Sequence, residues 1–437
     1  DVVAEADCSS TLIALVDTGV NYTHRDLVPN MWDGSARGYP NHGYDFVDND
    51  ADPMPADGDG HGTHVAGAIA AAGDNGIGTT GVCWSARIMA LRALDAGGGR
   101  TDTVVRAIRF AIDHGARVLN LSLGGSGYDR AFAAEIEYAR ERGAVVVVAG
   151  GNGGRDTDRA GAFYPCSFPS DNVICVAAMD QAYALAAFSN YGAVSVDVGA
   201  PGTNALSAWS GESRALDLAG WARFGWDLCS GTLTSSSVCA SGSYANNADD
   251  RIRRIIDLSV GDLLGAGLGG YYRLRTADGS APWPYTNPDP DALTAGANPF
   301  GSDPFESGGR TAYFPDTTDG QVAPFALSLQ DCLTHDCKIV LRFTSDGSGA
   351  DAGPKIFSST LHLAQRDADV YEYADGTSMA AAHATGVAAL VWSYNPTFTY
   401  ADVVSAVKYG GDVLPALQSI TATGRVVDAM GSLRYIN

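Results

Sequence analysis

Lysine is almost missing from this 437-residue chain: Lys338, Lys355 and Lys408 are the only three, and arginine supplies the other cations. Acidic residues outnumber basic ones 50 to 28, which leaves a formal net charge of −22. Like charges repel, so this balance argues against nucleic acid and against anionic membrane surfaces as partners. Long hydrophobic runs are missing as well. No stretch of about 18 consecutive apolar residues occurs, which excludes a membrane-spanning helix. The first residues, Asp1 to Asp7, carry neither the basic nor the apolar block of a signal peptide. The protein is therefore either cytosolic or has had such a segment removed. No two cysteines form a C-x-x-C pair, so neither a zinc knuckle nor a dithiol redox centre is indicated.

What is present is a chain with 46% hydrophobic residues, ample for a packed core and incompatible with general disorder. Eight cysteines stand at positions 8, 83, 166, 175, 229, 239, 332 and 337. Cys166 with Cys175, Cys229 with Cys239, and Cys332 with Cys337 are spaced for local disulfide loops. Cys8 and Cys83 each precede an apolar run, and they meet if those runs are adjacent parallel strands. Spacing alone does not fix connectivity, and eight free buried thiols are the alternative. The even count favours an exported, oxidised protein.

Along the chain, TLIALV reads as a buried strand, residues 61–72 as a small-residue helix, and ARIMALRAL as a strand. TDTVVRAIRFAIDHG (helix), RVLNLSLGG (strand), AFAAEIEYARERG (helix), AVVVVAGG and NVICVAAM (strands) follow. Near-continuous apolar strands alternating with helices predict an α/β fold whose parallel central sheet is flanked by helices on both faces. From about Ala208 to Asp367 the text changes to Gly, Ser, Asp, Pro and aromatics with short strand-like runs. The α/β pattern then resumes with TSMAAAHATGVAALVWSYNP, a long apolar helix. The reading is one discontinuous domain, 1–207 and 368–437, interrupted by an inserted β-rich module over 208–367.

Three short segments carry chemistry: VDTGV with Asp17 at a strand end, GHGTHVAG with His61 opening a helix, and DGTSMA with Ser378 at the start of another. In open parallel sheets reactive residues gather at the carboxyl ends of strands and at adjoining helix N-termini. A serine hydroxyl is a weak nucleophile that needs a neighbouring base, and an imidazole base needs an orienting carboxylate. Taken together and in this order, the segments resemble the subtilisin-like serine proteases, over roughly residues 10–207 and 368–435. A lipase reading needs the opposite chain order, and a silent, binding-only relative would have lost one of these residues.

The resemblance implies a subtilisin-like fold and a serine endopeptidase acting through an acyl-enzyme. Asp17 would orient His61, His61 would be general base and acid, and Ser378 would attack. Asn152, in AVVVVAGGNGG, would be the side-chain donor to the oxyanion, joined by the Ser378 backbone N–H, with Thr377 assisting. His64 reads as structural. The peptide would add as a strand along Gly97, Gly98 and Gly99 and along Leu123, Gly124 and Gly125. Ala149, Gly150 and Gly151 would form a further wall of the primary specificity pocket, with Phe163 and Tyr164 near its base. Small walls predict acceptance of large apolar side chains. Where the family has Met-Ala-x-Pro-His after the nucleophile, this chain has Met379-Ala380-Ala381-Ala382-His383.

Two segments are expected to hold calcium (Ca2+), which takes oxygen ligands at flexible spacing. GYDFVDNDADPM gathers Asp45, Asp48, Asp50 and Asp52; it resembles a calcium loop of the family, which implies ligation by Asp45, Asp50 and Asp52 with the Met54 backbone oxygen contributing. AGDNGIGTTG resembles the family's strong calcium loop, with Asn75, Ile77 and Thr79 joined by Asp26. Asp197 would serve a weaker site. By the same analogy the protein is a secreted, extracellular monomer acting on protein or peptide substrates after losing a propeptide, and the insertion shapes the cleft.

Overall fold

The computed structural model describes residues 6–55, 59–95, 98–210 and 370–436 throughout, and from 211 to 365 the backbone of the strands. The chain divides into a main unit, Asp1–Pro55, Gly60–Ser210 and Arg366–Asn437, and a second unit, Gly211–Gln365 with Ala56–Asp59.

The main unit begins with β1 (Leu12–Asp17), β2 (Gly43–Asp45), α1 (His61–Ala70) and β3 (Arg87–Arg92). A hairpin of β4 (Leu94–Asp95) and β5 (Gly98–Gly99) precedes α2 (Thr101–Asp113). Then come β6 (Val118–Leu121), α3 (Arg130–Glu141), β7 (Val145–Ala149), β8 (Val173–Met179), β9 (Val198–Pro201) and β10 (Ala205–Trp209).

The second unit contributes β11 (Gly211–Ala215), β12 (Ala222–Phe224), β13 (Trp226–Cys229), β14 (Thr232–Ser235), β15 (Asp249–Asp257), β16 (Leu263–Arg273), β17 (Ala292–Asn298), β18 (Arg310–Phe314), β19 (Ala323–Ser328), β20 (Asp336–Thr344) and β21 (Lys355–Gln365). These strands form two antiparallel sheets. One runs β13–β14–β21–β16–β19, with β11 also on β21; the other runs β12–β15–β20–β17–β18. Among the described residues the unit contains no helix.

The main unit resumes with β22 (Val370–Ala374), which pairs antiparallel with β10, Trp209 opposite Val370. The helices α4 (Thr377–Tyr394), α5 (Tyr400–Tyr409) and α6 (Ala429–Tyr435) complete it.

Seven strands of the main unit lie in the order β2–β3–β1–β6–β7–β8–β9, every neighbouring pair parallel. Runs such as VVVVA and VICVAAM are buried at every position, as strands covered on both faces must be. Alternation along each strand separates the two faces. Ala14, Val16, Met89, Leu91, Leu119, Leu121, Val146 and Val148 pack with Val104 and Ile108 of α2 and with Phe132 and Ile136 of α3. The alternate residues Ile13, Leu15, Ile88, Val145 and Val147 are also fully buried. They face the other layer, where α4 crosses β6 to β9 and packs on α1. An α4 apolar on nearly all sides suits that central position.

Cys8 and Cys83 are joined, with Cα atoms 5.6 Å apart. Each stands four residues before a register-paired position, Leu12 and Arg87, so the parallel pairing of β1 with β3 brings them abreast. Cys166 and Cys175 form a second disulfide. Cys239 and Cys332 lie outside the described residues, as do the side chains of Cys229 and Cys337.

Candidate active site

Asp17 is the last residue of β1 and His61 the first of α1. Their approach depends on Gly62: a Cβ there would stand 2.1 Å from the Gly19 carbonyl oxygen and 3.1 Å from Asp17 Oδ1. With that space open, His61 Nδ1 lies 2.7 Å from Asp17 Oδ1. The Thr18 N–H donates to the same oxygen at 2.8 Å. The Asp17 side chain is 1% exposed and that of His61 29%, so the carboxylate is sealed while the imidazole keeps an open edge. With Asp17 Oδ1 acting as acceptor, as it does for the Thr18 N–H, Nδ1 is the donating nitrogen and Nε2 the one left to accept.

Ser378 sits in the first turn of α4, held by three groups. Asn152 Oδ1 accepts from both the N–H (2.9 Å) and the Oγ1 (2.8 Å) of Thr377. The Gly151 N–H donates to Thr377 Oγ1 at 3.0 Å. Ser122 Oγ donates to the Ser378 carbonyl at 3.1 Å. Behind Ser122 lie Asn120 on β6, which donates to Ser122 Oγ, and Thr385 on α4, which donates to Asn120 Oδ1. Asn120, Ser122 and Thr385 escaped the sequence reading. The signal was there: an asparagine inside the apolar run VLNL needs a buried partner.

Thr377 satisfies the Asn152 oxygen and leaves its exposed Nδ2 amide to donate outward. At the start of α4 the N–H groups of Thr377, Met379 and Ala380 all have acceptors. The Ser378 N–H, at a helix start where early donors lack intrahelical partners, has none among the described residues. The Ser378 hydroxyl itself donates to the Ser122 carbonyl at 3.4 Å.

His64, one turn after His61, is fully buried, with Nε2 2.9 Å from the Ala205 oxygen and 3.2 Å from that of Glu372. It ties α1 to both strands of the β10–β22 ribbon. Burial pushes its pKa down to about 4, so the ring is neutral. Its role is structural.

Of the expected substrate segments, Gly97 lies outside the described residues, and Gly98 and Gly99 form the exposed strand β5. Leu123, Gly124 and Gly125 follow β6 directly, with both glycines exposed, while Ala149, Gly150 and Gly151 at the end of β7 are buried. Phe163, expected near the base of the pocket, reaches both of these stretches. Phe163 is packed against Gly124 on one side and Gly151 on the other.

The expected calcium loops differ from each other. Arg92, buried with Asp45, reaches Asp45 and, at 2.6 Å, Asp48. An arginine therefore supplies the charge that a cation would bring to that pair. Asp50 accepts from the N–H of Asp52, and Asp52 from the Tyr22 hydroxyl and the N–H of Met54. The four carboxylates of this loop do not converge, and no three acidic, histidine or cysteine side chains among the described residues form a metal-holding group. In the second loop the contacts centre on Asp26, toward which Asn75 turns its Nδ2 while its Oδ1 accepts from Ile77. Asp26 is fully buried, with no cationic side chain paired to it among the described residues. It accepts from Asn75 Nδ2 (2.7 Å), the Thr79 N–H (3.0 Å) and the Tyr371 hydroxyl (2.9 Å). Ile77 donates its N–H to Asn75 Oδ1. A buried carboxylate without a counter-charge fits a cation. Asp197, expected at a weaker site, is instead paired with Lys408 at 2.8 Å.

A model of the subtilase family matches residues 9–248 and 346–409, more than half of the chain. The chain belongs to the subtilase family. Among subtilases it is 41% identical over 256 residues to the thermophilic serine proteinase of Bacillus sp. (strain AK1), a match covering 58% of this chain and 57% of that protein. It is 41% identical over 219 residues to the thermitase of Thermoactinomyces vulgaris, covering 48% and 72%. A solved protease from Pseudoalteromonas arctica PAMC 21717 shares the fold at a TM-score of 0.56 and 21% identity, over 100% of this chain and 93% of that one. No helix among the described residues is long and apolar enough to cross a membrane.

Proposed function

We propose that this subtilase is a secreted serine endopeptidase. The observation that carries the reading is the 2.7 Å contact between His61 Nδ1 and the sealed Asp17 carboxylate. Nε2 of His61 takes the Ser378 proton as Oγ attacks the scissile carbonyl. The Asn152 amide and the Ser378 N–H receive the negative charge that develops on the carbonyl oxygen. Asp17 favours the imidazolium formed in this step, which then protonates the leaving amine. Water, deprotonated by the same imidazole, releases the acyl group. Casein hydrolysis by the protein and by Ser378→Ala tests the assignment. Loss of nearly all activity in the variant is expected, and activity at the level of the unaltered protein would overturn it.

Calcium belongs to the Asp26 loop in this reading, where Asp26, Asn75, Ile77 and Thr79 would hold it. The cation would supply the counter-charge that the buried carboxylate lacks. At a free concentration a hundredfold above Kd, binding would stabilise the fold by about 2.7 kcal/mol. Chelation should lower Tm by several degrees; an unchanged Tm would remove calcium from the proposal. Export completes the proposal. Its support is the pair of disulfides, which persist in oxidising compartments.

A further inference from the structure

Phe163 lies between the Leu123–Gly125 and Ala149–Gly151 stretches. The Leu123–Gly125 stretch starts at Ser122, whose Oγ and carbonyl both meet Ser378. The Ala149–Gly151 stretch ends beside Asn152, which is bound to Thr377. The gap between the two stretches therefore opens at the nucleophile and at the oxyanion donor. A carbonyl held by Asn152 and attacked by Ser378 directs the side chain on its acyl side into that gap.

The ring of Phe163 lies across it. A Cβ at Gly124 would come 2.4 Å from Phe163 Cε1 and 2.6 Å from its Cζ. A Cβ at Gly151 would come 2.9 Å from the same two atoms. Both walls are glycine, and the room their missing side chains leave is already taken by the ring tip. The ring is not free to swing with its backbone. The N–H of Phe163 donates to Ser167 Oγ at 3.1 Å, and its carbonyl accepts from the Ser167 N–H at 2.9 Å. Tyr164 exchanges both backbone hydrogen bonds with Gly125, at 2.8 and 2.9 Å. Tyr164 also packs on Tyr128 and Phe168.

We infer that Phe163 is a specificity-determining residue that fills the primary pocket, so the protein cleaves after small residues, glycine, alanine or serine, and rejects aromatic ones. The inference rests on the endopeptidase reading and narrows its substrate class. A large side chain entering the gap must displace the ring tip from between the two glycines. A single methylene in an apolar pocket is worth roughly tenfold or more in discrimination, and a phenyl group exceeds that.

The test is a series of fluorogenic peptides identical except for the residue before the scissile bond: glycine, alanine, leucine or phenylalanine. For the unaltered protein, kcat/KM on the alanine peptide should exceed that on the phenylalanine peptide by about tenfold or more. Phe163→Gly, and to a smaller extent Phe163→Leu, should move the alanine-to-phenylalanine ratio toward the aromatic peptide by a similar factor. Ser378-dependent cleavage that is fastest after phenylalanine in the unaltered protein would overturn the inference and leave the endopeptidase reading standing. So would a ratio unmoved in both variants. Absence of cleavage of every peptide, or cleavage undiminished in Ser378→Ala, would bring down the endopeptidase reading and this inference with it. The profile of the unaltered protein decides the matter even where a Phe163 variant does not fold.

Discussion

Asn152 owes its order to a single atom: its carbonyl oxygen takes both donors of Thr377, and the amide is left for the reaction. Thr377 thus acts through Asn152. Asn152→Ala should lower kcat by about 10²–10³ with little change in KM, since the donor works on charge present only in the transition state. Thr377→Val should give a smaller loss of the same kind, because one of two tethers remains. Steady-state kinetics on one peptide checks both, and a loss confined to KM would remove the assignment. His64 makes a different prediction. Its pKa is about 4 in the fold, against an ordinary value of 6.5. The unfolded chain therefore binds the proton first as pH falls. Stability is full above pH 6.5 and declines between 6.5 and about 4, by on the order of 3 kcal/mol at most. In His64→Gln that part of the acid-side slope should vanish in denaturant titrations at stepped pH. At this scale the sequence was half legible. Asp17, His61 and Ser378 sit in short glycine-flanked segments that announce themselves. Ser122 and Thr385 do not, because their importance lies in partners more than 200 positions away.

The parallel strands were readable because each is buried on both faces and so runs apolar without interruption. The acidic loops were harder to read. Four aspartates within eight residues look like a cation site, and two of them, Asp45 and Asp48, are met by Arg92, more than 40 residues on. Asp197 is likewise met by Lys408, one of the three lysines in the chain. Nothing local to a carboxylate reveals a distant partner that the fold delivers. Lys408 lies in the last turn of α5, where a cation also suits the helix dipole. Lys408→Met should cost about 3 kcal/mol by leaving Asp197 partly buried without its counter-ion. Chemical denaturation measures this, and a change below about 0.5 kcal/mol would mean that the pair is solvated and idle.

Across the whole molecule, the Cys8–Cys83 disulfide closes a loop of 75 residues around β2, α1 and the approach to β3. Cys8→Ser should lower stability by roughly 4 kcal/mol, chiefly by freeing the unfolded chain. Equal denaturation midpoints for the protein and the variant would refute this. The sequence foresaw the α/β body with its parallel sheet, and its composition and periodicity change together near residue 208. It did not foresee two sheets beyond that point, since short strands among Gly, Ser and Asp carry weak alternation. The interruption also sets a timetable. The hydrogen bonds that seat Ser378, to Asn152 through Thr377 and to Ser122, close over 225 and 256 residues. At a synthesis rate of roughly 5–20 residues per second, the ribosome needs about 10 to 50 seconds to span those intervals. Throughout that time the growing chain carries Asp17 and His61 and still lacks Ser378.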